Sequence, residues 1–240
     1  TVATEMYSAG IDRLTHQPLS FSVSETTEGV HIHIIDAELM GKGEKEKKDL
    51  YIEGIQNNGI INHYEYIINS EGTIEIRHVL KPEGKMPLWF PRIGLTLTVS
   101  DALDQVKWYG RGPQENYPDR KTGYPTGIYA STVQAMYEPY LMPQDYGLRT
   151  DVRWLQLTTD KGIGLQFKMN EWFNFNIYPY STDNLTKAMY TYQLQKQKGM
   201  TLNLDYATTG VGCTARGVFG AYKAMPQEYR RTISIRPMMK

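Results

Sequence analysis

The sequence predicts an all-β, antiparallel protein with one short helix. Apolar and polar residues alternate with period two along most of the chain. Turn-forming residues interrupt that alternation every 8–12 residues or so. Only one segment carries a helix start signal. Together these features describe a large β-sandwich occupying residues 1–240 as one domain.

The elements follow in order. Phe21–Glu25 and Val30–Ile34 alternate as two half-buried strands joined at Thr27-Glu28-Gly29. Leu50–Ile55 and Ile60–Ile68 are separated by Asn57-Asn58-Gly59, and Asn-Gly accepts the positive φ of a tight hairpin turn. Thr73–Leu80 is the next strand, and in Arg92–Val99 the residues Ile93, Leu95, Leu97 and Val99 share one face. Residues 108–150 read as loop, crowded with Gly, Tyr, charge and five prolines. Ordered loops of that length are usually functional or interface-forming. Asp151–Leu157 pairs with Gly162–Met169, and Phe173–Tyr178 adds another strand. Asp183–Met189 is the helix, with Asp183 as its cap. Tyr190–Leu194, Leu202–Tyr206 and Tyr229–Ile235 complete the strands, and no fixed-period repeat suggests a solenoid or propeller.

Composition narrows the class of partner. Lys plus Arg and Asp plus Glu are 26 each, so no net charge draws the chain to nucleic acid or a membrane surface. Glu44–Asp49 is a mixed-sign run that reads as a solvated loop or strand end. Cys213 is the only cysteine, which excludes an intrachain disulfide and a cysteine-based zinc site. No apolar run reaches the 18–20 residues or so that a membrane helix needs. The chain opens at Thr1 on a strand-like segment, so it is expected to be a piece of a longer polypeptide. Tyrosine is abundant, at 18 against 6 Phe and 4 Trp; its ring and hydroxyl suit half-wet surfaces of the kind that bind sugars, and it is equally at home in strands.

Catalytic groups are harder to find. Glu115, Asp119, Glu138, Asp145 and Asp151 lie in or beside the loop-rich stretch. Carboxylates in such loops more often pair with neighbours like Arg111, Arg120 and Arg149, or cap backbone groups. His31 and His33 share one face of a strand, but the sequence shows no third metal ligand near them. No nucleophile elbow or phosphate loop occurs. A binding or structural domain is the expectation from the residues alone.

The thirteen residues Trp108-Tyr-Gly-Arg-Gly-Pro-Gln-Glu-Asn-Tyr-Pro-Asp-Arg120 resemble the hallmark of the last domain of large bacterial β-galactosidases of glycoside hydrolase family two. Further matching pieces keep the family's order. Met136–Tyr140 and Pro143-Gln144 precede Gly147–Trp154, then come Phe173–Asn176, Tyr180-Ser181, Leu202–Asp205 and Gly210–Gly212. The likeness is strong over 108–212 and diffuse before that, with Ser8-Ala9-Gly10 as a further point of contact.

The resemblance implies a large antiparallel super-sandwich, galactose mutarotase-like, from a multidomain enzyme that cleaves terminal β-D-galactosides with retention. It implies that both catalytic glutamates belong to a preceding barrel, and that no catalytic residue or metal site lies here. This domain would wall the aglycone side of the barrel site. Divalent and monovalent metal ions of the parent would bind elsewhere, and the parent would be a homo-oligomer in the cytoplasm or periplasm. Members carry a stacking tryptophan shortly after the Gly-x-Gly step; a gapless match places Gly217 there, with Arg216 and Phe219 as substitutes beside it. Arg111, Glu115, Tyr117, Asp119 and Arg120 are expected to form the loop that contacts neighbouring domains, with Glu115, Asp119 and Arg120 in one network. Two alternatives remain: a free-standing galactoside-binding module, and an aldose 1-epimerase-like enzyme using inward-facing His63 or His78.

Overall fold

A computed structural model describes residues 10–40, 58–212 and 217–239. The charge run 44–49, the strand expected at Leu50–Ile55, Asn57 of the hairpin signal, Ser8-Ala9, Cys213 and Arg216 lie outside the described residues. Among the described residues there are eleven strands and one α-helix, so the all-β class holds, and every strand pairing whose register is resolved is antiparallel. The chain forms two compact units, Thr1–Pro91 with Lys223–Ser234, and Arg92–Tyr222 with Ile235–Lys240.

The first unit is a meander of β1 (Thr15–Thr26), β2 (Gly29–Leu39), β3 (Gly59–Ile68) and β4 (Ile74–Glu83), with β11 (Tyr229–Met238) beside β4. The turn between β1 and β2 depends on Gly29, at φ +135°. A Cβ there would lie 2.1 Å from the Ile68 carbonyl oxygen of β3. Ala37, Ile76, Leu80, Phe90 and Ile233 supply the buried apolar side chains. β1 corrects the expectation of a half-buried strand. Among the described residues it is the edge, paired only with β2, and Phe21 and Val23 are 68% and 54% exposed.

A buried polar chain crosses this unit. Asn62 Nδ2 donates to Asp36 Oδ1 at 2.9 Å, and Asn62 Oδ1 lies 3.1 Å from His78 Nε2. His78 is 1% exposed and stacks on Tyr64 at 4.2 Å. Burial, with a smaller push from His63, lowers its pKa to about 4. An unfolded histidine titrates near 6.5, so the folded state disfavours the proton. Stability is therefore complete above that value and falls as pH drops towards 4, by on the order of 3 kcal/mol. Denaturant titrations across that range should show the loss, and His78→Gln should flatten it.

In the second unit the strand order is β5-β10-β9-β8-β6-β7: β5 (Arg92–Val99), β10 (Met200–Thr208), β9 (Gly164–Tyr178), β8 (Arg149–Thr158), β6 (Gln105–Arg111) and β7 (Thr126–Thr132). Alternate positions of β8, β9 and β10 fill its core, with Leu155, Leu157, Phe173, Phe175, Leu202 and Leu204 at most 1% exposed. Three expectations change here. Residues 108–150 are not loop throughout, because β6 ends at Arg111 and β7 lies within the stretch. Phe173–Tyr178 is no separate strand but the end of the 15-residue β9, which stays continuous through register shifts against β8. Tyr190–Leu194 contains a single 3-10 turn at Thr191–Gln193, closed by Gln193 side-chain contacts to the backbone of Met189 and Tyr190. The helix α1 (Thr182–Lys187) is capped by Ser181, whose Oγ accepts from Asn184 N at 3.1 Å. Asp183 instead sits in the first turn, where its charge suits the helix dipole and pairs with Lys187.

Candidate functional site

The Trp108–Arg120 segment leaves the sheet at the end of β6. Trp108 is fully buried and its Nε1 donates to the Arg111 carbonyl at 3.0 Å, which turns the chain out of the strand. Arg111 pairs with Asp151 and donates to the carbonyls of Lys121 (3.1 Å) and Tyr124 (2.9 Å). Asp151 sits between the β8–β9 register shifts at φ 55°, unusual for a residue with a side chain. Lys121 Nζ holds it from a second side at 2.8 Å. Burial alone would raise the Asp151 pKa; the hydrogen bonds from Lys121 and Arg111 outweigh it and lower the value.

Glu115 is the centre of the next loop turn. Its Oε2 accepts from Gly147 N at 2.9 Å and from Tyr117 Oη at 3.2 Å. Its Oε1 accepts from Arg120 Nη2 at 2.8 Å and from Tyr140 Oη. The Arg120 guanidinium also lies over the Tyr117 ring at 5.3 Å. The expected Glu115–Arg120 network is thus present, and it takes in Tyr117. Asp119 is not part of it. Its carboxylate turns the other way and accepts from Val211 N at 3.0 Å and Gly212 N at 2.7 Å. Two consecutive amides form a natural anion cradle, so a backbone partner replaces the expected ion pair.

That contact positions the segment that follows β10. Gly210 lies against Asp119, and a Cβ there would be 2.4 Å from the Asp119 Cγ, so a side chain at 210 would push the Asp119 carboxylate aside. Gly210 N donates to the Tyr222 carbonyl at 2.9 Å. Gly217 and Phe219 are both exposed; Phe219 is 69% exposed, and space around Gly217 is open. Arg216, the third residue expected near substrate, lies outside the described residues.

Sequence reasoning missed a second polar layer. Asn174 and Asn176 on β9, and Asn203 and Asp205 on β10, alternate in each strand and stand opposite one another in register. Period two therefore sends all four side chains to one face. Asn203 Nδ2 donates to Asn176 Oδ1 at 2.8 Å and to Tyr178 Oη at 3.1 Å. Arg92 grips Asp205 through two nitrogens, at 3.1 and 2.6 Å, and donates to Asn176 Oδ1 at 3.1 Å. Burial opposes the Arg92 charge, but Asp205 and Asp145 beside it more than offset this and raise its pKa. The signal was the spacing Asn-x-Asn and Asn-x-Asp inside otherwise apolar strands.

Nearby chain lines a half-open pocket of about 500 Å³, with Asp101, Asp104, Tyr137, Tyr146, Tyr180 and Lys196 among its walls. Its size and mixture of rings with charged and amide groups suit a small polar ligand. Among the five acids weighed from sequence, Glu115, Asp119 and Asp151 each have both oxygens engaged by protein donors. Asp145 accepts from Asn176 Nδ2 at 2.9 Å. The Glu138 pKa is raised, by burial and by the Glu115 charge.

Fold and loop geometry define an antiparallel β-sheet protein with aromatic-rich loops tied to its strand ends. Comparison with known proteins gives the family. A family model described as beta galactosidase small chain matches residues 7–235, and the chain belongs to that family. It is 38% identical over 147 residues to a beta-galactosidase of Priestia megaterium, covering 61% of this chain and 14% of that protein. A beta-galactosidase of Vibrio cholerae is 31% identical over 207 residues, 86% of this chain and 18% of that protein. The chain thus spans less than a fifth of these relatives. Among solved structures, a GalM/aldose epimerase homologue from C. elegans aligns over 92% of this chain and 69% of its own, at 12% identity and a TM-score of 0.44.

Proposed function

We propose that this chain is the non-catalytic C-terminal domain of a retaining β-galactosidase and walls the aglycone side of an active site supplied by a preceding barrel. The single observation that carries this reading is the Asp119 clamp. It ties the Trp108–Arg120 segment to the Gly210–Gly212 step, and the exposed ring of Phe219 belongs to the same compact unit. The engagement of Glu115, Asp119 and Asp151 by protein donors also favours a structural role for these acids. Residues 1–240 act as one accessory piece. The catalytic metal ions and the homo-oligomeric contacts belong to the whole enzyme. Arg111, Glu115, Tyr117, Asp119 and Arg120 shape the loop that meets neighbouring domains, and the exposed Phe21 and Val23 of β1 offer apolar surface to the same partners.

Two measurements test this. The purified 240-residue chain should not turn over a chromogenic β-galactoside, whereas the longer protein containing it should. In that longer protein, Phe219→Ala should raise KM for a galactoside with a bulky aglycone by roughly fivefold or more, the loss of one ring contact. KM for a galactoside with a minimal aglycone should stay within twofold or so of its original value by the same reasoning. Turnover by the 240-residue chain alone would overturn the non-catalytic assignment. Equal effects on both substrates would overturn the aglycone role.

A further inference from the structure

We propose that His31, His33 and Glu65 form a binding site for a late first-row divalent cation such as zinc, with one coordination position left open. His31 and His33 lie two residues apart on β2 and so share a face, and Glu65 on β3 stands directly opposite His33 in the strand register. The third ligand that the sequence does not show beside the histidines is thus brought in by the β2–β3 pairing. One ligand atom from each of the three lies within 4.8 Å of the others. His31 Nδ1 is 3.5 Å, and His33 Nε2 4.0 Å, from Glu65 Oε1.

These spacings are longer than charge-assisted hydrogen bonds of about 2.7–2.9 Å. They approach the edge of a coordination tetrahedron, about 3.3 Å for metal–ligand bonds of about 2.0–2.1 Å. His33 is half-exposed, so its ring has room to turn towards Glu65. The His31 ring is shielded, and its Nε2 is buried with no hydrogen-bond partner among the described residues. A neutral ring protonated at Nε2 would turn the Nδ1 lone pair towards a carboxylate oxygen. A cation between them turns that opposition into two bonds.

The carboxylate is also set for the task. Arg77 Nη1 donates to Glu65 Oε2 at 3.1 Å, while Arg77 Nε donates to Glu75 Oε1 at 2.8 Å. One oxygen of Glu65 is thereby held and the other is left facing the imidazoles, as outer hydrogen bonds do around ligating carboxylates. Two imidazoles and a carboxylate suit zinc, and bind nickel or copper by the same donors. With three protein ligands, a water or small anion takes the open position on the exposed His33 side.

Zinc titration of the 240-residue chain by calorimetry tests the site, in a Cys213→Ser background that removes the lone thiol. One zinc per chain is expected. His33→Ala and Glu65→Gln should each weaken binding at least about tenfold, as loss of a ligand exceeds the effect of an outer partner. His16→Ala, at an exposed histidine outside the cluster, should leave binding unchanged. Cobalt(II) should give a tetrahedral visible spectrum that the first two variants lose, with unaltered circular dichroism showing that they remain folded. Absence of stoichiometric binding, or binding indifferent to His33→Ala and Glu65→Gln, overturns the proposal.

Discussion

Replacing Glu115 by alanine is expected to destabilise the chain by about 2–4 kcal/mol, the cost of leaving the buried Tyr117 hydroxyl and Gly147 amide without an acceptor. The variant strands Arg120, Tyr117, Tyr140 and the Gly147 amide, all of which donate to this one carboxylate. Glu115→Gln separates shape from charge. An amide can accept on one side only, so the variant should keep part of the loss. Burial would by itself raise the Glu115 pKa, but the hydrogen bonds from Tyr140, Gly147, Arg120 and Tyr117 prevail and hold it below the ordinary carboxylate range. A depressed folded pKa gives stability that is complete above the unfolded value, near 4.3, and is lost as pH falls through the lower folded value. Wild-type chain should therefore lose stability below that point through this group, and Glu115→Gln should not. Denaturant melts at several acid pH values read both effects.

Arg92→Met is expected to have an effect of comparable size through a different mechanism. Asp205 is 2% exposed and would keep only a long contact from Thr208 Oγ1, at 3.3 Å. An uncompensated buried charge costs about 3–5 kcal/mol, which for a chain of this length lowers the melting temperature by roughly 6–20 °C. Adding Asp205→Leu should recover a large part of that loss, because removing both partners of a buried pair is often nearly neutral. A double variant no more stable than Arg92→Met would show that the Arg92–Asp205 contact is not where the energy lies.

Strand positions were legible because period two is written locally. Arg92–Val99 matches β5 residue for residue, and the core-facing set of that strand followed from alternation. What failed was non-local. Trp108–Arg111 looks like loop because a glycine and an arginine dilute the pattern, yet β8 and β7 pair with β6 on either side. Ser181 took the cap from Asp183 because the cap is settled by which oxygen reaches the Asn184 amide, a matter of backbone entry. The Glu115–Arg120 pair lies five residues apart and could be anticipated. The Asp119 contact spans more than ninety residues, and nothing near Asp119 announces it. The Asn-x-Asn and Asn-x-Asp spacings were visible, but which strand faces which is decided by the fold.

The Asp119 carboxylate holds two neighbouring amides with no ladder of strand pairing behind it. The Val211–Gly212 step is therefore secured as by a latch. When the side chain rotates away, both amides become available to solvent together, so in hydrogen exchange Val211 and Gly212 should report one shared opening event. A change at Asp119 would therefore reach Val211 and Gly212, more than ninety residues away in sequence, without altering either of them.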